Sequence, residues 1–154
     1  MKVTDEKKCS CEKELRFFLP MIPPRTTAQQ HRIAVCGSKP IIYPDERLRD
    51  ARQKFLSALG AHAPARPLEG ALRLIVKWCF PRGRHAQGAW KATRPDTDNL
   101  QKLFKDCMAQ AGFFRDDAQV ASEIVEKFYA DPPGIFVAVL ELEAEHETND
   151  KRES

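Results

Sequence analysis

From Ala71 to Phe80 the chain alternates. Leu72, Leu74, Val76, Trp78 and Phe80 fall on one side, and Arg73, Ile75, Lys77 and Cys79 on the other. A period of two marks a strand with one strongly apolar face. Leu15–Leu19 predicts a first strand, halted by Pro20. Residues 20–32 hold three prolines, two threonines and two glutamines, which predicts a loop. Ile33–Cys36 and Ile41–Tyr43 flank Gly37-Ser-Lys-Pro40 as a hairpin. Over Asp45–Ala61 the period changes. Leu48, Ala51, Phe55, Leu56 and Leu59 form one helical stripe, and Gly60 is placed to end it. A connector with two prolines follows over His62–Gly70. Pro81–Arg94 has two glycines, five basic side chains counting His85, and no period, which predicts a surface loop. Asp96–Ala111 predicts a second helix, closed by Gly112, with Leu100, Leu103, Phe104, Cys107 and Ala111 as its apolar stripe. Val120–Tyr129 predicts a strand with Val120, Ile124 and Phe128 on one face. Asp131-Pro-Pro-Gly134 predicts a turn, and Ile135–Leu142 a last strand. This order predicts a single α+β domain over residues 15–142, with two main helices packed on a mixed sheet. Residues 1–14 form an expected N-terminal arm, and residues 143–154 an acidic tail.

Composition narrows the class. The 154 residues suit one domain, and 42% hydrophobic with 31% charged side chains suits a globular one. No apolar run approaches the roughly 18 residues of a membrane span. The first residues lack the apolar core of a secretory signal, so the expected compartment is the cytoplasm. Five cysteines, an odd number, argue against a disulfide framework. Cys79 and Cys107 sit in apolar patterns and are expected to pack as small hydrophobes. Cys9, Cys11 and Cys36 offer a soft-metal alternative to a reduced pair in a frayed segment. His31, His62, His85 and His146 have no ligand spacing. There is no glycine-rich phosphate loop and hence no expected nucleotide cofactor. The net charge of +3 hides an asymmetry. Residues 141–154 hold six acids and two bases, so the other 140 residues carry 23 bases and 16 acids, or +7. That body suits a polyanionic partner.

The candidate chemistry lies in Arg94–Gln119. At 3.6 residues per turn, Asp98, Lys102 and Lys105 share the helix side opposite the apolar stripe. Asp96 stands just ahead, at the cap. Two meanings compete. Asp is a preferred N-cap, acids suit the first turn, and Asp98 with Lys102 has the spacing of an ordinary ion pair. Alternatively, Asp116-Asp117 returns to meet the first two acids. Three carboxylates beside a lysine would suit Mg²⁺, which takes oxygen ligands and serves phosphodiester hydrolysis. Spacing alone leaves both open.

Arg94-Pro-Asp-Thr-Asp-Asn-Leu-Gln-Lys102, then Asp106, then Gly112-Phe-Phe-Arg-Asp-Asp-Ala-Gln119, resembles the signature of RusA-type Holliday junction resolvases. The likeness runs from Leu15 to Leu142, omits both termini, and in the middle of the chain concerns only the general layout. It implies a homodimeric, Mg²⁺-dependent endonuclease of a phage or prophage, with Mn²⁺ as a substitute, acting on four-way or branched DNA. It implies Asp96, Asp98 and Asp117 as metal ligands and Lys102 as the cleavage lysine. It gives no clear role to Asp106 or Asp116. Paired symmetric nicks need two sites, which a twofold dimer supplies.

Arg82, Arg84, Lys91, Arg94 and Lys105 are the expected DNA contacts, through phosphates. Trp90 either stacks on an unpaired base or packs down on the sheet. Arg25 and Arg32 are weaker candidates. Two other functions stay open at this level: a branched-DNA-binding protein without catalysis, and a nuclease for flaps or forks.

Overall fold

The computed structural model describes residues 13–25, 31–44 and 46–143. The expectations for the N-terminal arm, the acidic tail, Cys9 and Cys11 fall outside the described residues, as do the side chains of Cys36 and Arg32. Strand β1 is Glu14–Pro20, β2 is His31–Cys36 and β3 is Lys39–Pro44. Helix α1 (Glu46–Gly60) precedes β4 (Leu72–Pro81) and the short β5 (Ala89–Trp90). Helix α2 (Thr97–Ala111), a 3-10 turn at Asp117–Gln119, β6 (Val120–Ala130) and β7 (Gly134–Glu141) complete the order.

Five strands form one sheet in the order β1-β7-β4-β6-β5, while β2 and β3 pair as a separate hairpin. β4 and β6 run parallel and the other pairs antiparallel, so the sheet is mixed. The parallel pair requires a crossover, and α2 lies within it. The α+β expectation therefore holds, with two helices against a mixed sheet.

The alternation of β4 sets the core. Leu72, Leu74, Val76, Trp78 and Phe80 are all at most 2% exposed. α1 adds Ala51, Phe55 and Leu59, and α2 adds Leu100, Leu103, Phe104, Cys107 and Met108. Phe55, Trp78 and Phe104 meet edge to face, with centroids 5.1–5.9 Å apart. Each such contact contributes about 0.5–1.5 kcal/mol beyond area burial. Cys107 is one of these core residues, and burial pushes its thiol up to about 11. Gln101 is buried as well, and its Oε1 accepts from the Trp78 indole at 3.3 Å. Helical phase alone did not mark it as a core position.

Two expectations need correction. Residues 81–94 are not wholly loop, because Ala89–Trp90 adds an edge strand to β6. And Val120 does not share a face with Ile124 and Phe128. The β4–β6 register shifts between Leu72 and Arg73, so Val120 pairs with core-facing Leu72 while Ile124 pairs with Ile75 on the open face. A bulge inverts the alternation locally, which strict counting misses.

Candidate active site

The start of α2 is held in place by β6. Lys127 Nζ donates to the carbonyls of Thr93 at 2.7 Å and Pro95 at 2.8 Å. The Lys91 N–H donates to the Lys127 carbonyl at 3.0 Å. One strand residue thus fixes both ends of the approach to Asp96. Pro95 is buried, and the next residue, Asp96, is the N-cap of the helix.

Asp96 takes the N-cap conformation, with φ −73° and ψ 146°, yet its side chain makes no capping hydrogen bond. Its carboxylate and that of Asp98 are exposed. Neither forms an ion pair or a side-chain hydrogen bond among the described residues, and Asp98 does not bridge to Lys102. Lys102 is exposed one turn along. Helix capping therefore does not account for the first acid, and the i,i+4 pair does not account for the second. Two open carboxylates at a helix start suit a hard divalent cation, which takes one or two carboxylates and keeps waters and phosphate oxygens.

The second acidic pair lies further along. Asp116 caps the 3-10 turn, accepting from the Ala118 N–H at 2.9 Å and completing a capping box with Gln119. Gln119 in turn donates to the carbonyls of Leu68 at 3.2 Å and Gly70 at 3.1 Å. Asp117 shares a hydrogen bond with Asp116, which chiefly raises its pKa; Asp106 and Asp116 raise it as like charges, and Lys105 opposes them. The same bond and the Ala118 N–H lower the pKa of Asp116. Asp106 is eight residues beyond Asp98, a rise of about 12 Å along the helix. In the single chain Asp117 thus sits with Asp106 and Lys105, not with Asp96 and Asp98. Among the described residues, no three His, Cys, Asp or Glu side chains are grouped to hold a metal ion.

The expected DNA contacts divide. Arg82, Arg84 and Arg94 are exposed and line one cleft with Arg25. Lys91 also lines it but is only 8% exposed, so it is a built-in cation and not a free loop side chain. Its Nζ donates to the Thr93 hydroxyl at 2.7 Å and lies 5.1 Å from the Phe80 ring centroid. Lys105 is engaged with Glu123 at 3.0 Å. Trp90 is 69% exposed while one side of its ring rests on Phe128, 4.5 Å between centroids. It packs on the sheet, one of the two alternatives the sequence left open, and keeps its other face exposed. Sequence reading missed Tyr129 and Lys127, although strand alternation from Val125 places both on the helix-covered face.

An acid pair at a helix start beside a cleft lined by arginines belongs to a small α+β protein that handles a polyanion. The family model for Endodeoxyribonuclease RusA matches residues 22–140, and the chain belongs to that family of DNA endonucleases. No curated protein matches the chain significantly. No helix among the described residues is long and apolar enough to cross a membrane.

Proposed function

We propose that the chain is a Mg²⁺-dependent, structure-selective endodeoxyribonuclease that resolves four-way DNA junctions by paired symmetric nicks. The observation that carries this reading is the Asp96 carboxylate, which holds the cap position without capping. In this reading Asp96 and Asp98 hold the metal, with Mn²⁺ as a substitute. Bound there, the ion supplies Lewis acidity and an activated water. Lys102, which has no ion pair among the described residues, extends its ammonium one turn away and offsets charge on the phosphoryl oxygens. Arg82, Arg84 and Arg94 hold neighbouring phosphates. Asp117 joins the metal ligands only in an assembled complex, since the single chain keeps it beside Asp106 and Lys105.

Two nicks call for two copies of the site. A homodimer is supported by the sheet face turned away from the helices, where Phe18 is 36% and Ile124 41% exposed. Register puts Phe18 beside Phe136 and Ile124 beside Ile75 on that same face.

The test is cleavage of synthetic four-way junctions, forks, flaps and plain duplex, with Mg²⁺ and with EDTA. Paired nicks confined to the junction, and abolished by EDTA, are expected. Preference for forks or flaps would move the substrate. Tight junction binding with no cleavage under any divalent cation would leave a DNA-binding protein without catalysis.

A further inference from the structure

The cleft beside the acid pair has a volume of about 750 Å³. That lies within the roughly 300–1,000 Å³ of sites that take small molecules. Arg25, Arg82, Arg84, Arg94 and Lys91 surround it, and among the described residues no acid does. Such a cleft repels itself unless an anion sits in it. Its organisation goes beyond loose surface charge. Lys91 is fixed under the Tyr129 ring, 4.9 Å from the centroid, and within 3.5 Å of its hydroxyl. The Thr93 hydrogen bond, with help from the charges of Lys91 and Arg25, lowers the pKa of the Tyr129 phenol. His85 lies flat on Tyr129, with centroids 3.7 Å apart and planes 6° apart. His85 is itself exposed, so one imidazole face is covered by Tyr129 and the other is open.

A flat ring with one free face, ringed by guanidinium groups, matches a nucleotide: phosphate on the cations, base on the ring. A base inside a duplex has both faces covered by its neighbours, so stacking on His85 needs one that has left the stack. The position fits. Thr93 and Arg94 line the cleft, and Asp96 follows within three residues, at most about 10 Å of chain. Lys127 holds the Thr93 and Pro95 carbonyls between them. Trp90 belongs elsewhere, because adjacent strand residues point to opposite faces and its ring rests on Phe128.

We propose that this cleft seats one unpaired nucleotide of branched DNA a few nucleotides from the scissile phosphate, its phosphate on Arg82, Arg84 and Arg94 and its base stacked on the open face of His85. The proposal rests on the nuclease reading, and its test is arranged to separate the two. The probe is a four-way junction carrying 2-aminopurine beside the crossover, bound to the full-length protein in EDTA, so that no cleavage is needed. The wild type is expected to change the probe's fluorescence on binding. His85→Ala is expected to lose that change and bind the junction about tenfold more weakly, while its affinity for plain duplex stays within twofold. His85→Phe keeps a flat ring and is expected to restore both. His85 is exposed, so neither change threatens folding. An unaltered signal and affinity in His85→Ala would overturn the nucleotide seat, even where the wild type still cuts junctions. Equal losses on junction and duplex would also overturn it, leaving a plain phosphate contact. Absence of cleavage by the wild type in Mg²⁺ would instead remove the nuclease reading, with the binding result standing by itself.

Discussion

Lys127 reaches from the middle of β6 to the Pro95 carbonyl at 2.8 Å, one residue ahead of the acid that opens α2. The same ammonium also holds the Thr93 carbonyl at 2.7 Å. A single side chain therefore sets the entry angle of the helix and the edge of the cationic cleft. Charge-assisted hydrogen bonds of this kind contribute about 1.5–3 kcal/mol each. Lys127→Met removes both while keeping the aliphatic stem. Junction cleavage is expected to fall by about tenfold or more, mainly in kcat, because Asp96 and Asp98 lose their fixed position. Lys127→Arg should recover part of the rate. A normal kcat in Lys127→Met would show that the entry angle of α2 is held by other contacts.

Asp96→Asn and Asp98→Asn separate metal holding from helix capping. Asn is as good a cap as Asp, and Asp96 makes no capping hydrogen bond to lose. Each variant should unfold within about 2 °C of the wild type. Each should lose at least a hundredfold in Mg²⁺-dependent cleavage, as removal of one well-placed electrostatic group commonly costs that much. A lower melting temperature with full cleavage would return both acids to structural duty.

Much of this site could be found from the sequence, and the reasons differ by residue. Leu72 to Phe80 alternate because one strand face meets two helices, so the pattern is the packing. Asp96, Asp98 and Lys102 were legible because short helical spacings translate directly into space. Asp117 was not, because its distance from Asp98 depends on how a crossover returns. Lys91 looked like any loop lysine; only the pairing of Ala89–Trp90 with β6 turns it under Tyr129. Val120 was misplaced by a bulge that adds one residue to β6. Local periodicity carried the fold, while the cleft depends on contacts between residues about 40 positions apart.

Asp117 offers a pH test. Its pKa is raised, first by the hydrogen bond shared with Asp116, so its ionised form is disfavoured in the folded chain. A raised acid makes the fold bind more protons than the unfolded chain, so its contribution to stability falls as pH rises through its titration. Asp117→Asn should therefore be at least as heat-stable as the wild type at pH 7. The gap should close as pH falls through the raised folded-state pKa towards the unfolded value of 3.8. In the same variant junction cleavage should be lost. Thermal melts from pH 3 to pH 7 check the first part. Wild-type cleavage by Asp117→Asn would remove this residue from the metal ligands.

Among the glycines of the described residues, only Gly134 would bring an added Cβ within 4 Å of other atoms. It sits opposite Pro20 in β1 and Cys79 in β4. A Cβ there would lie 2.6 Å from the Leu19 carbonyl oxygen and collide with the Phe18 ring. The ring can turn away, but the carbonyl belongs to the backbone. Gly134→Ala should cost about 1–3 kcal/mol, as overpacking does. At about 2–4 °C per kcal/mol the melting temperature should drop measurably. Phe18 is part of the exposed face proposed for a dimer, so in that reading the displaced ring should also weaken self-association. A melt and a sedimentation run on one sample check both effects.

Salt dependence tests the arginines of the cleft. Each phosphate neutralised by a cation steepens the plot of log affinity against log salt by about 0.9. Arg82 and Arg84 carry no ion pair among the described residues, so their charges are available to DNA. Substituting both by Ala should make the slope shallower by up to about 1.8. It should weaken binding to junction and duplex alike, because phosphate contacts carry no shape or sequence information. That is the opposite of the signature expected for His85, where the loss is confined to the junction. The two variants together thus distinguish holding the backbone from receiving a splayed base. An unchanged slope in the double variant would place these arginines off the DNA, and the cleft would then need a different anion.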